Sequence, residues 1–309
     1  MESVNVHLFA GLSASVGRRS LRAFATEKAR SLFAYLAMNG GTPLYRDRLC
    51  GLLWGDRTDP EARKALRTTL WRVRSVVEPD DTDRGRILRV EGDTVAFVRG
   101  ESAWVDVWEF ESALEQIDRI PSLEDPRALP CLRRAVDLYR GDLLEGMYDD
   151  WCVEPRQRLR LAYIALLERL MRAHEVRGDW SQAIRVGRQV LREDPLREHV
   201  HRALISFHAH RGDRPSAILQ YRECVRVLDE ELGVEPMRAT RMLHEEIRLG
   251  DAGSGAGLPD LRTGDLSSLL GAVDEAVGDL QALLTRLEEA RRSLGDEGGT
   301  NVEGRPRAG

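Results

Sequence analysis

With 309 residues, 42% of them hydrophobic and 31% charged, the chain has a globular composition and is too apolar for wholesale disorder. At roughly 100–200 residues per domain, the length predicts two domains, or two and an appendage. The richest apolar run, Leu32 to Met38, is only seven residues long, far short of the roughly 18 needed to span a membrane. Met1 to His7 has no basic stretch leading into an apolar block, so no signal peptide is expected and the predicted location is cytoplasmic. The net charge of −5 conceals a gradient: residues 1–110 carry 17 basic and 15 acidic groups, 111–250 carry 23 and 25, and 251–309 carry 6 and 11. Residues 61–77 hold five basic groups against one acid, and for phosphate binding such a local patch matters more than the whole-chain charge.

In chain order, Val4, Val6 and Leu8 alternate with polar residues and predict a strand; a second, weaker strand is expected around Ser20 to Phe24. Thr26 is placed to cap a first helix, whose Ala29, Leu32, Phe33, Leu36 and Ala37 recur at helical spacing until Asn39-Gly40-Gly41. A second helix is expected over about Tyr45 to Leu53, and a third from Glu61 to about Val77, separated by Trp54-Gly55-Asp56-Arg57-Thr58-Asp59-Pro60. Ile87–Val90 and Thr94–Val98 flank Glu91-Gly92-Asp93 as a hairpin. Strands, three helices and a hairpin are the layout of a winged helix-turn-helix.

From Leu129 to Leu249 the pattern is helical, and it repeats. Arg177-Gly178-Asp179-Trp180-Ser181-Gln182-Ala183-Ile184 returns 34 residues later as Arg211-Gly212-Asp213-Arg214-Pro215-Ser216-Ala217-Ile218. That is the period of tetratricopeptide helix pairs. The expected fold is therefore mainly α: an N-terminal winged helix-turn-helix with a small sheet (residues 1–110), then a tetratricopeptide-like repeat domain (111–250). Residues 251–264 read as a flexible linker and 296–309 as a disordered tail. Between them, in 265–295, Leu266, Leu270, Val273, Val277, Leu280, Leu284 and Leu287 mark a heptad seam. Two readings stand for this segment: self-association through residues 266–294, or packing back on the repeats.

Viewed at 100° per residue, the third helix gathers Ala62, Ala65, Leu66, Thr69, Leu70, Val73, Val76 and Val77 on one side. Lys64, Arg67, Thr68, Trp71, Arg74 and Ser75 gather on the other, with Arg63 and Arg72 at its flanks. Guanidinium groups pair bidentately with guanine edges or hold phosphates, and threonine methyls meet thymine. A solvated basic face has the same composition; the winged-helix order of elements tips the reading toward DNA.

An enzyme is not expected. No phosphate-cradling Gly-x-x-x-x-Gly-Lys-Ser/Thr, dinucleotide Gly-x-Gly-x-x-Gly or nucleophile Gly-x-Ser-x-Gly occurs. Cys50, Cys131, Cys152 and Cys224 form no Cys-x-x-Cys pair and read as small buried hydrophobes. On one helix, His199 and His210 lie about 16 Å apart along the axis and His201 and His208 about 10 Å, too far in either pair to share a metal ion. No cofactor or metal is expected.

The order of motifs resembles the Streptomyces antibiotic regulatory protein family, transcription activators that join an OmpR-type winged helix to a bacterial transcriptional activation domain. The resemblance rests on Glu27-Lys28-Ala29-Arg30-Ser31-Leu32-Phe33-Ala34-Tyr35-Leu36-Ala37, on Leu52-Leu53-Trp54-Gly55-Asp56, and on Ala62-Arg63-Lys64-Ala65-Leu66-Arg67. Val105-Asp106-Val107-Trp108-Glu109-Phe110, Tyr139-Arg140-Gly141-Asp142-Leu143-Leu144-Glu145-Gly146 and Leu232-Gly233-Val234-Glu235-Pro236 extend it over about residues 4–250.

The resemblance implies an activator that binds promoter DNA, often on tandem direct repeats, and helps RNA polymerase engage. The third helix would be the recognition helix. Thr42, Tyr45 and Arg46 would touch phosphates, and Arg86 to Arg99 would form the wing. Trp54, Asp56, Arg57 and Asp59 would face polymerase, with a core position equally open for Trp54. Two features depart from the family pattern: Gly92-Asp93 stands where many members carry Gly-Tyr, and the heptad segment lies outside the minimal family pattern. The competing reading is a tetratricopeptide-type scaffold for a protein partner, with a degenerate winged helix.

Overall fold

The structure, a computed structural model, describes residues 3–21, 24–80, 82, 84–100 and 103–250. The expected linker, heptad segment and tail, residues 251–309, lie outside the described residues. None of the described helices is long and apolar enough to cross a membrane.

The N-terminal part is built on two small sheets. In the first, β1 (Val4–His7) pairs antiparallel with β2 (Ser13–Val16), β2 pairs with β3 (Arg19–Ser20), and β7 (Ala103–Val105) lies parallel to β1 on its other side. The second strand therefore falls earlier than Ser20–Phe24. Gly17, at φ +55°, turns the chain there, and the small side chains of Ser13, Ala14 and Ser15 give the alternation little hydrophobic contrast. The second sheet runs in the order β4 (Leu44–Tyr45), β6 (Thr94–Phe97), β5 (Leu88–Glu91).

Between and around these sheets lie α1 (Glu27–Met38), α2 (Arg46–Trp54) and α3 (Asp59–Val77). Thr26 caps α1, its Oγ1 accepting from the Ala29 amide at 3.2 Å. Just past that helix Gly40 lies against Trp108; a Cβ at residue 40 would sit 1.8 Å from Trp108 Cζ2. Only glycine fits there.

The helical part comprises α4 (Asp106–Asp118), α5 (Ala128–Leu138), a 3-10 turn (Asp150–Cys152), α6 (Val153–Val176), α7 (Trp180–Glu193), α8 (Glu198–His210), α9 (Arg214–Leu232) and α10 (Arg238–Leu249). Helix is interrupted between Tyr139 and Asp149, where the chain instead joins the N-terminal sheet: the Leu144 amide donates to the Leu8 carbonyl at 2.7 Å and the Ala10 amide to the Asp142 carbonyl at 3.0 Å. One continuous core runs from Val4 to Phe207, so Met1–Leu249 forms one compact unit rather than two separately packed ones.

The 34-residue repeat is physical. Gly178 (φ +69°) and Gly212 (φ +71°) occupy the left-handed region that makes each tight turn. Asp179 and Asp213 then cap the next helices, their carboxylates accepting from the Gln182 and Ser216 amides at 3.3 and 3.2 Å. Ala183 and Ala217 are fully buried, letting the paired helices approach closely. The repeat also includes two buried imidazoles in equivalent places, His174 with Nδ1 3.3 Å from Asp179 Oδ2, and His208 with Nδ1 3.6 Å from Asp213 Oδ2.

Two outcomes follow for stability. Gly40→Ala should lower the thermal midpoint strongly, by the equivalent of about 3 kcal/mol, because overpacking against a fixed indole leaves no relaxation route; a midpoint within experimental error of the parent would contradict the contact. Burial pushes His174 and His208 below the usual histidine pKa; the neighbouring aspartates partly oppose this, while Arg133 beside His174 and Arg188 beside His208 add to it. The unfolded chain then binds more protons than the fold, so stability should fall as pH drops below about 6.5. Melting curves of the parent and of the His174→Gln/His208→Gln variant across that range should diverge, the variant showing the shallower loss.

Candidate nucleic-acid interface

α3 divides most of its faces as its sequence predicts, with Ala65 and Val76 only half-buried and Arg74 turned inward. Ala62, Leu66, Thr69, Leu70, Val73 and Val77 are buried, whereas Lys64, Arg67, Thr68 and Trp71 are exposed. Trp71, at 67% exposure, is a large apolar side chain held in solvent in the middle of a cationic face. Lys64 and Arg67 have no ion-pair partner among the described residues. Pro60 in the first turn of α3 suits a position whose amide has no intrahelical acceptor.

The flanks of the helix are engaged differently. Arg63 reaches back to α2, its guanidinium 3.0 Å from Asp47 Oδ1, an exposed pair that neutralises part of its charge. Arg74, expected on the DNA-facing side, turns toward the wing. Its guanidinium donates to the Leu88 carbonyl at 2.9 Å and lies 3.7 Å from Glu78 Oε2. Glu78 is buried and accepts from the Ile87 and Leu88 amides at 2.6 and 2.8 Å. Arg74 and Glu78 thus form a strut between α3 and β5, and sequence reasoning missed it: Glu78-Pro79 signals only a helix stop.

The start of α2 is locked to the tip of the wing. Leu44 and Tyr45 pair with Val95 and Thr94, and the Arg46 amide donates to the Asp93 carbonyl at 2.8 Å. Gly92 (φ +54°) and Asp93 form the two-residue hairpin loop, with left-handed backbone at its first position. Thr42 and Tyr45 are exposed here, and Arg46 is half-buried. Along the wing, Arg89 lies 3.7 Å from Glu91, and Arg99 stacks 5.1 Å from the Trp108 ring centroid. In the loop between α2 and α3, Asp56, Arg57 and Asp59 are exposed, but Trp54 is buried in the core, which decides between its two sequence readings.

No grouping of three or more His, Cys, Asp or Glu side chains fit for a metal ion occurs among the described residues. His201 is consumed structurally, one ring nitrogen 3.0 Å from the Pro195 carbonyl and the other 2.8 Å from Gln220 Nε2. The four cysteines are free; burial pushes Cys152 and Cys224 up to about 12, which keeps them protonated and unreactive.

Comparison with known proteins bears on this geometry. Residues 105–248 match the family described as Bacterial transcriptional activator domain. The chain is 26% identical over 230 residues to the regulatory protein AfsR of Streptomyces coelicolor, covering 74% of this chain and 23% of AfsR. It is 29% identical over 228 residues to the transcriptional regulator RedD of the same organism, covering 72% of this chain and 65% of RedD. The match thus spans less than two thirds of either relative's length. Mycobacterium tuberculosis EmbR, solved in complex with a low-affinity phosphopeptide, shares the fold with a TM-score of 0.67 at 21% identity, over 81% of this chain and 66% of EmbR. A match to the bacterial transcriptional activator domain in the helical half, aligned Streptomyces regulators across most of the described residues and a shared fold agree: the chain is similar to the regulators of the Streptomyces antibiotic regulatory protein family.

Proposed function

We propose that this transcription regulator is a sequence-specific activator: residues 1–110 bind promoter DNA with α3 in the major groove, and residues 111–250 help RNA polymerase engage. The observation that carries the reading is the exposed row of Lys64, Arg67, Thr68 and Trp71, whose two cations have no ion-pair partner among the described residues, on a helix whose opposite face packs into the core. Arg67 is the base reader in this reading. Thr42, Tyr45, Arg46 and Arg63 hold or orient the backbone, and Asp56, Arg57 and Asp59 form the exposed loop offered to polymerase. Arg74 stiffens the wing. Activity in the cytoplasm, and self-association through residues 266–294, belong to the same proposal.

A second reading, a scaffold for a protein partner, draws on a polar groove of about 650 Å³ over α6, lined by Arg133, Tyr139, Tyr163 and Arg185. Partner capture by the full chain without retention on DNA would favour it.

Arg67→Ala should weaken binding to the footprinted promoter by about 1–3 kcal/mol and relax its sequence preference, measured by electrophoretic shift against specific and random duplexes. An unchanged shift would sink the base-reading role. Arg74→Ala should leave sequence preference intact but destabilise the fold by about 1–2 kcal/mol, because the buried Glu78 carboxylate loses its counter-charge while a group one-third exposed is partly screened. Calorimetry on the variant separates the two roles.

A further inference from the structure

Beside the exposed face of α3 runs a groove of about 540 Å³. One wall is the first turn of α1 with Thr26 and Lys28; the end is closed by Trp54 and Arg57; the other wall is the flank of α3 from Glu61 to Arg72. Lys28, Arg57, Lys64 and Arg72 line it against the single carboxylate of Glu61, which accepts a hydrogen bond from Thr58 Oγ1 at 2.9 Å. Arg57, Lys64 and Arg72 have no side-chain partner among the described residues, and Lys28 Nζ is held 3.7 Å from Asp149. Three unneutralised cations lining one groove raise its local positive potential, which favours an anion there.

The groove's shape limits the anion. Its floor is apolar, with the buried Trp54 and with Ala65 between the charges, so it suits a chain of anionic groups bearing apolar links better than a hydrated ion. From Glu61 to Arg72 α3 rises about 16 Å, more than one phosphate requires. Lys64 and Thr68 belong to both the groove and the exposed face, so the two surfaces are continuous. The amides of the first turn of α1 add their positive dipole end along the same wall.

We propose that this groove is a phosphodiester track: it holds the sugar-phosphate strand bordering the major groove that α3 occupies, with Arg57, Arg72 and Lys28 neutralising successive phosphates. Arg57 then also serves DNA, beside its place in the loop offered to polymerase, and Lys28 acquires a binding role that its place in α1 does not advertise. The proposal rests on the DNA-binding reading above and extends its footprint to a surface that reads no bases.

The test is the salt dependence of binding by the full-length protein, read by fluorescence anisotropy on the footprinted promoter duplex and on a random-sequence duplex. Each lost phosphate contact makes the slope of log K against log salt less steep by about 0.9. Arg57→Gln/Arg72→Gln should therefore flatten the slope by about 1.8 and weaken both duplexes alike, whereas Arg57→Lys/Arg72→Lys should keep most of the slope. Thermal melts of both variants report whether the fold survives, and the lysine pair keeps the test decisive if the glutamine pair does not fold. An unchanged slope in a folded glutamine variant, or a loss confined to the promoter duplex, would overturn the track while leaving DNA binding standing. Failure of the parent to bind either duplex would instead remove the reading beneath it. Saturable uptake of inorganic phosphate by the parent in calorimetry, combined with an unchanged slope in the variants, would reassign the groove to a free anion and overturn the duplex assignment.

Discussion

The architecture depends on one buried carboxylate. Asp106, at the junction of β7 and α4, accepts from the amides of Leu8 at 2.9 and 3.0 Å, of Phe9 at 3.1 Å and of Val107 at 2.8 Å. Burial pushes its pKa up, while those amides and the nearby His7 oppose the rise. A buried carboxylate is tolerable only when its oxygens are satisfied, and here the donors come from chain segments nearly a hundred residues apart. The same contact that satisfies Asp106 therefore fixes where the first strand ends and where the first helix of the repeat half begins.

That junction makes the two halves one body. Leu8 to Ala10 pair with residues 142–144, and Arg156 of α6 donates to the carbonyls of Leu143, Leu144 and Met147 at 2.7, 3.0 and 2.8 Å. Trp151 donates to Ser31 Oγ at 3.1 Å and packs against Tyr35, so α1 is gripped from the repeat side as well. Ala10 and Leu144 both sit at positive φ, +57° and +52°, a local strain that persists because the surrounding bonds over-determine it. In the proposed function, an α3 docked on DNA would carry the repeats to a set position, because they share one packed body with it.

What was legible in the sequence follows one physical distinction. Features written in local periodicity could be read: the two faces of α3, the Thr26 cap, the Gly-Asp turns of the 34-residue repeat and the buried alanines that follow them. Features that depend on distant partners could not. Arg74 has the spacing of an exposed side chain, and only the return of β5 beside α3 draws it inward. Trp54 falls in a turn-rich stretch that gave core and surface equal standing, and the tertiary packing decides. Residues 129–249 read as helical throughout, yet Tyr139–Gly146 leaves helix to bond with Leu8 and Ala10 just past the first strand, which no local pattern reveals. The groove joining Lys28 to Arg57 and Arg72 is likewise assembled from three elements, none of which signals it alone.

The wing shows why local charge must be weighed after geometry. Glycine at residue 92 is required by the left-handed first position of a two-residue hairpin loop, and the Asp93 carbonyl holds the start of α2; neither need concerns DNA. Along the same hairpin Arg89 is offset by Glu91, and Arg99 is spent on the Trp108 ring. The wing therefore offers a duplex little free positive charge. Lys64, Arg67 and Arg72 of α3 and the neighbouring Arg57 have no side-chain partner among the described residues, so the proposed attraction to phosphate rests on this side of the molecule rather than on the wing. A net charge of −5 is compatible with the proposed polyanion partner, because residues 1–110 carry 17 basic against 15 acidic groups and the acidic excess lies in residues 111–309.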